Sequence, residues 1–120
     1  MIINFNNKLE SELTGHISEV VLEPIHFRDK DETQNKVSLV ITLSGGEIIT
    51  TSEVMMKDYK GAYRQTGLWL KENKNSQISA LSALGRFLNK MRVSQLKDLK
   101  NRQVCLTHGK KEFLVIWIKD

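Results

Sequence analysis

Residues 37–43 (Val-Ser-Leu-Val-Ile-Thr-Leu) carry an apolar side chain at every odd position, the period of a half-buried antiparallel strand. Ser44-Gly45-Gly46-Glu47 supplies a tight turn, and residues 48–51 return as the hairpin partner. Upstream, residues 14–27 also read as extended. Ile17, Val21, Ile25 and Phe27 favour one face, while Val20-Val21-Leu22 breaks the alternation as a bulge does. Pro24, the only proline, marks an edge or a bulge because it cannot donate to a ladder. Arg28–Lys36 contains no apolar residue and reads as a charged turn. Residues 1–13 hold Ile2, Ile3 and Phe5 among polar residues, which fits an edge strand or an arm packed on a neighbouring subunit.

The period then changes. After an extended segment from about Tyr63 to Leu70, Ile78, Leu81, Leu84, Leu88 and Met91 recur at spacings of three and four. This predicts a helix over Ser76–Arg92 with Ser76 as its N-cap and cations toward its C-terminal end. Gly85 weakens that helix slightly and leaves room for close packing on the sheet. Residues 94–101 read as one helical turn, 102–107 as a strand and 108–111 as a turn. In 113–118 six apolar residues run together, so the last strand is expected to be covered on both faces and Trp117, like Phe27, to be core. The expected fold is mainly β with one helix. The helix stands between the third and fourth of five barrel strands, with an added hairpin, which is the order of the OB-fold Greek-key barrel.

One stretch has little aliphatic content and a different chemistry. Residues 57–71 (KDYKGAYRQTGLWLK) contain both tyrosines and one of the two tryptophans. Flat rings offer stacking faces for unpaired bases, each worth roughly 1–3 kcal/mol, and neighbouring cations offer phosphate partners. Tyr59, Tyr63 and Trp69 are the stacking candidates. Lys57, Lys60, Arg64, Lys71 and Lys74 are the phosphate candidates, with Lys110 and Lys111 reaching in from the last turn. Tyr63 and Trp69 are six residues apart and point the same way in a regular strand, unless Gly67 bulges it. In the OB-fold this stretch falls on the surface used for ligands. The plainer reading is a soluble surface loop on the barrel wall.

Charge sharpens this picture. The formal net charge is +4, but residues 1–54 have four cations against nine anions and residues 55–120 fourteen against five. The balances are thus −5 and +9. Such asymmetry in one domain of 120 residues points to a cationic face for an anionic partner.

Other chemistries find little support. Cys105 is the single cysteine, read as a packed thiol that forms no intramolecular bridge. With three scattered histidines it does not supply the ligand spacing of a zinc site. No patterned nucleophile lies beside a base, and Ser44–Glu47 lacks the lysine and length of a phosphate-binding loop. Asp29, Asp31 and Glu32 fit a solvated turn better than a metal site. The expectation is a protein that is not an enzyme and needs no cofactor or metal. No signal segment or membrane span is read from the sequence, so a soluble, reducing, cytoplasmic setting is expected.

With KDYKGAYRQTGLWLKEN before the helix and Leu-Lys-Asp-Leu-Lys-Asn leading into a final strand pair, residues 37–118 resemble small phage-type single-stranded DNA-binding proteins. The resemblance implies an OB-fold and protection of single-stranded DNA in replication or recombination. It also implies a homodimer or higher homo-oligomer, and the host cytoplasm if the chain is phage-encoded. The chain departs from cellular members in ending Trp117-Ile118-Lys119-Asp120 rather than in an acidic tail. RNA is the alternative nucleic acid. A non-catalytic protein-interaction barrel would use the same rings as interface anchors, and an OB-type sugar binder would favour uncharged polar groups.

Overall fold

The computed structural model describes residues 13–71, 75 and 77–119. Of the edge strand or arm expected over residues 1–13, residues 1–12 lie outside the described residues, as do the Ser76 cap and Lys74, whereas Leu13 opens the first strand.

Seven strands and one α-helix are present among the described residues. The strands are β1 (Leu13–Phe27), β2 (Glu32–Leu43), β3 (Ile48–Thr51), β4 (Glu53–Lys57), β5 (Tyr63–Gly67), β6 (Gln103–His108) and β7 (Leu114–Trp117). The helix, α1 (Ala83–Lys90), lies between β5 and β6, and Leu96–Leu99 form a turn of 3-10 helix. The strands make one sheet in the order β3-β2-β1-β6-β7-β4-β5, antiparallel except for β4 with β7. Its hydrogen bonding is not closed. Yet β3 and β4, first and sixth in that order, are separated in the chain by Ser52 alone, so the sheet curls back on itself.

The core fills the inside of this curl. Ile17, Leu39, Ile41, Val54 and Ile116 from the sheet meet Leu84 and Phe87 from α1 and Leu99 from the 3-10 turn, all fully buried. Each contributes roughly 1.5–3 kcal/mol through removal of apolar surface from water. Alternation in β2 holds as expected, with Val37, Leu39, Ile41 and Leu43 all buried.

Three expectations are corrected. First, the charged turn is only residues 28–31; β2 already starts at Glu32. Second, the bulge sits earlier than the apolar pattern indicated. Ile17 pairs with Ile41 and Glu19 with Val40, which leaves Ser18 as the extra residue, its hydroxyl donating to the Val40 carbonyl at 3.0 Å. An added residue reverses side-chain parity. Ile17 therefore faces the core, whereas Val21, Ile25 and Phe27 belong to the opposite face, across from Ser38, Gln34 and Glu32. Phe27 is half-buried near the hairpin tip and is not core.

Third, the helix is eight residues long. Ser82 is its N-cap, its Oγ accepting the Gly85 amide at 3.0 Å. Ahead of it, the Ser79 hydroxyl accepts the Leu81 amide and the Ser82 hydroxyl donates to the Ser79 carbonyl. Such local bonds compete with helical ones, and Leu81 is left 87% exposed. The buried stripe is Leu84, Phe87 and Leu88. Gly85 does admit a close neighbour, but it is the 79–80 turn and not the sheet. A Cβ there would overlap the Ser79 carbonyl oxygen and lie 2.9 Å from the Ala80 Cα.

Candidate nucleic-acid interface

The β4–β5 hairpin sorts its side chains by strand alternation. Val54 and Met56 point into the core. Glu53, Met55 and Lys57 face outward, opposite Gly67, Gln65 and Tyr63. Asp58 organises the turn between the two strands. One carboxylate oxygen accepts the Lys60 and Ala62 amides at 2.9 and 3.0 Å, and the other accepts Arg64 Nε at 2.7 Å. The Ala62 amide, with further help from the Lys60 amide and the Arg64 guanidinium, holds the Asp58 carboxyl below the usual aspartate range despite partial desolvation. Gly61 takes φ 85°, a conformation glycine adopts without penalty.

Outward-facing rings gather at both ends of this hairpin. At the turn end, the Tyr63 ring lies 5.7 Å from that of Trp117 on β7, tilted by 57°, and Lys57 Nζ is 5.5 Å from the Tyr63 centroid. Lys119 Nζ stands 5.8 Å from the Trp117 ring. Trp117 is thus half-buried on the outer face, not in the core as its apolar run implied. Its indole N–H is buried with no hydrogen-bond partner among the described residues. Phe113, counted in the same run, is 68% exposed. Tyr59 projects from the turn at 91% exposure, with Lys60 Nζ 5.8 Å from its ring.

At the other end the chain leaves β5 and runs beside the outer half of β2. The Val37 amide donates to the Leu68 carbonyl, and the Leu70 amide to the Asn35 carbonyl, each at 2.8 Å. This holds Trp69 against the β1–β2 hairpin. The Trp69 ring is 5.5 Å from Phe27 and 5.0 Å from Lys36 Nζ, which also pairs with Glu53 at 3.5 Å. Lys30 Nζ lies 6.0 Å from Phe27. Gly67 lets the indole lie close, since a Cβ there would stand 2.9 Å from both Trp69 Nε1 and Lys36 Cε. Gly67 therefore does not disturb the expected parity: Trp69 lies over the outer face that Tyr63 occupies.

Gln65 ties the middle of this surface together. It donates to Glu53 Oε1 and accepts the Lys110 amide, both at 2.6 Å. Lys110 and Lys111, both exposed, are thereby held beside β5. The remaining candidates lie elsewhere. Arg64 alternates to the other face of β5 and is engaged by Asp58, although its side chain stays 70% exposed. Lys71 lies past Trp69 and lines a cleft of about 480 Å³ together with Arg86 and Thr66.

Sequence reasoning missed Phe27, Lys30, Lys36, Trp117 and Lys119 as members of this surface. A bulge placed at Ser18 would have put Phe27 on the Lys36 face, whereas no sequence signal moves Trp117 outward. Five rings thus each have a lysine ammonium 5.0–6.0 Å from the centroid. An exposed cation–π contact is worth about 0.5–1 kcal/mol, less than the roughly 1–3 kcal/mol of a stacked base. A base can therefore displace the ammonium from a ring, and the freed lysine stays within reach of that nucleotide's phosphate.

Among the described residues no three His, Cys, Asp or Glu side chains come together as a metal site, and no helix is long and apolar enough to cross a membrane. Comparison with protein-family models, curated proteins and solved structures finds no match for this chain.

Proposed function

We propose that the chain is an OB-type barrel that coats single-stranded DNA with little sequence preference, in replication or recombination. The fold reading is supported by treating β3 and β4 as one strand interrupted at Ser52. The pairings β1–β2, β2–β3, β4–β7, β7–β6 and β6–β1 then form a ring of five strands. The helix falls between the third and fourth of them, as in the OB-fold. The single observation that carries the binding reading is the outer face on which five rings are each accompanied by a lysine.

Tyr59, Tyr63 and Trp69 stack bases in this reading, and Lys57, Lys60, Lys110 and Lys111 contact phosphates. Lys36 and Phe27 join from the hairpin. The protein acts without catalysis, as a homodimer or larger homo-oligomer.

Anisotropy titration of a fluorescein-labelled oligo-dT at two salt concentrations tests this. Binding that weakens steeply with salt, with a log–log slope of about −0.7 per phosphate contact, is expected. A matched RNA oligomer separates DNA from RNA preference. Absence of binding at low salt would leave the interaction-barrel reading, which Val21 and Leu22 favour, being 42% and 47% exposed on β1.

A further inference from the structure

Four cations stand apart from the ring surface. Arg92, Lys97, Lys100 and Arg102 line one open cleft of about 510 Å³ between the end of α1, the 3-10 turn and the start of β6. All four are exposed, and none forms an ion pair among the described residues. Among the described residues Asp98 is the only anion lining the cleft, so four cations there face one carboxylate. Like charges held together in this way repel one another unless an anion is bound.

The backbone adds an independent observation. The Arg92 amide donates to the Asn89 carbonyl and the Val93 amide to the Leu88 carbonyl, at 3.0 and 3.1 Å. That is the Schellman ending of a helix, in which the residue at the Arg92 position takes a left-handed conformation and is usually glycine. Arg92 has φ 59°. A long cationic side chain thus occupies a site where glycine would be less strained. A cation suits the helix C-terminus, but that preference is met equally by Lys90, in the last turn of α1.

The cleft also adjoins the ring surface. The β6–β7 register that sets Cys105 against Trp117 brings Gln103 level with Lys119, and Arg102 directly precedes Gln103. We propose that this cleft is a second phosphate-binding surface that takes the sugar–phosphate backbone of a single strand as it leaves the ring face past Trp117 and Lys119. The inference rests on the DNA-binding reading above. It extends the contact from stacking at the β4–β5 hairpin to purely electrostatic tracking around the barrel. Short strands reach only the rings, and long strands reach both surfaces.

The test uses the full chain with labelled oligo-dT of roughly 6 and roughly 20 nucleotides, one near the short end of the roughly 4–16 nucleotides typical of one OB-fold and one beyond its long end. The triple variant Arg92→Gln, Lys97→Gln, Lys100→Gln is compared with wild type. For the long oligomer the log–log salt slope should flatten by about 2 and affinity at 0.1 M salt should fall roughly 100-fold. The short oligomer should bind both proteins alike. A variant indistinguishable from wild type on the long oligomer, or weakened equally on both, overturns the inference and leaves the ring surface untouched. Failure of wild type to bind either oligomer sinks both readings. Arg92→Gly guards against damage to the fold. It should raise the melting temperature by roughly 2–4 °C while weakening the long oligomer alone, and unchanged long-strand binding counts against Arg92 as a contact.

Discussion

Trp69→Ala is the most informative single change, because the ring that would stack a base also anchors the β1–β2 hairpin. A tryptophan buries about 150–250 Å² when fully enclosed. Trp69 is half-buried against Phe27 and Lys36, so about 100 Å² is lost, or roughly 2.5 kcal/mol at 25 cal/mol per Å². The site opens to solvent, which removes the extra penalty of an enclosed cavity. A loss of about 2–3 kcal/mol in urea unfolding is expected, a sizeable part of the 5–15 kcal/mol typical of a domain. Affinity is therefore compared at a low temperature at which both proteins remain folded, by anisotropy of a labelled oligo-dT, since removing an indole disturbs intrinsic fluorescence. A loss of about 1–3 kcal/mol in binding, or roughly 5- to 150-fold, is expected there. Combining Trp69→Ala with Phe27→Ala closes a double-mutant cycle whose coupling in stability should be about 0.5–1.5 kcal/mol. Additive effects would show that the rings do not join the hairpin to the sheet, and unchanged affinity would remove Trp69 from the interface.

Three other substitutions probe the frame of the site. Gly85→Ala, which helix propensity alone would make stabilising by up to about 1 kcal/mol, should instead destabilise by about 1–3 kcal/mol in chemical unfolding, because its Cβ meets the Ser79–Ala80 backbone. A gain in stability would show that this turn can move aside. Gly67→Ala should change the near-ultraviolet circular dichroism of the indole and weaken DNA binding, since its Cβ presses on Trp69 Nε1. Stability should shift by less than about 1 kcal/mol, because relief of glycine's entropy in a strand opposes the contact; an unaltered spectrum would refute the packing. Asp58 titrates lower when folded than its unfolded value of about 3.9. Its contribution is therefore present above that value and lost as pH falls through the lower, folded one. Asp58→Asn should flatten the pH dependence of the melting temperature below about pH 4, and a curve parallel to wild type would exclude the turn as its source.

Legibility of the sequence followed burial. Residues 37–43 were readable because one face of β2 meets the core and the other does not, and that contrast is what alternation records. Residues 32–36 carry no apolar period because the outer half of the hairpin has little core beneath it; there the strand is held by its β1 ladder and by Trp69. The helix start is expected at Ser76 because the three- and four-residue apolar spacing already includes Ile78 and Leu81, whereas the local bonds of Ser79 and Ser82 delay it to Ser82 and leave Leu81 exposed. Trp117 was hidden for a related reason. In an apolar run such as 113–118, composition does not say which residue faces out, and only the register with Met55 and Cys105 places Trp117 on the outer wall.

The cluster at Trp69 depends on one inserted residue. Without the bulge at Ser18, β1 would keep odd-numbered side chains facing inward from Ile17 onward, and Phe27 would share a face with the residues flanking Lys36, not with Lys36 itself. The extra residue switches parity, so that Phe27 and Lys36 stand on the same side of the hairpin, where the 68–70 segment presents Trp69 to both. Ser18 stabilises the irregularity locally, its hydroxyl bonding to the Val40 carbonyl and accepting from Thr42 Oγ1. The same switch leaves Val21 and Ile25 on the outer side of the hairpin, away from the core that receives Ile17. The bulge also lies next to residues 13–16, where β1 pairs with β6 as well as with β2. A bulge bends its strand, so one inserted residue serves both the curl of the sheet and the meeting of Phe27 with Lys36.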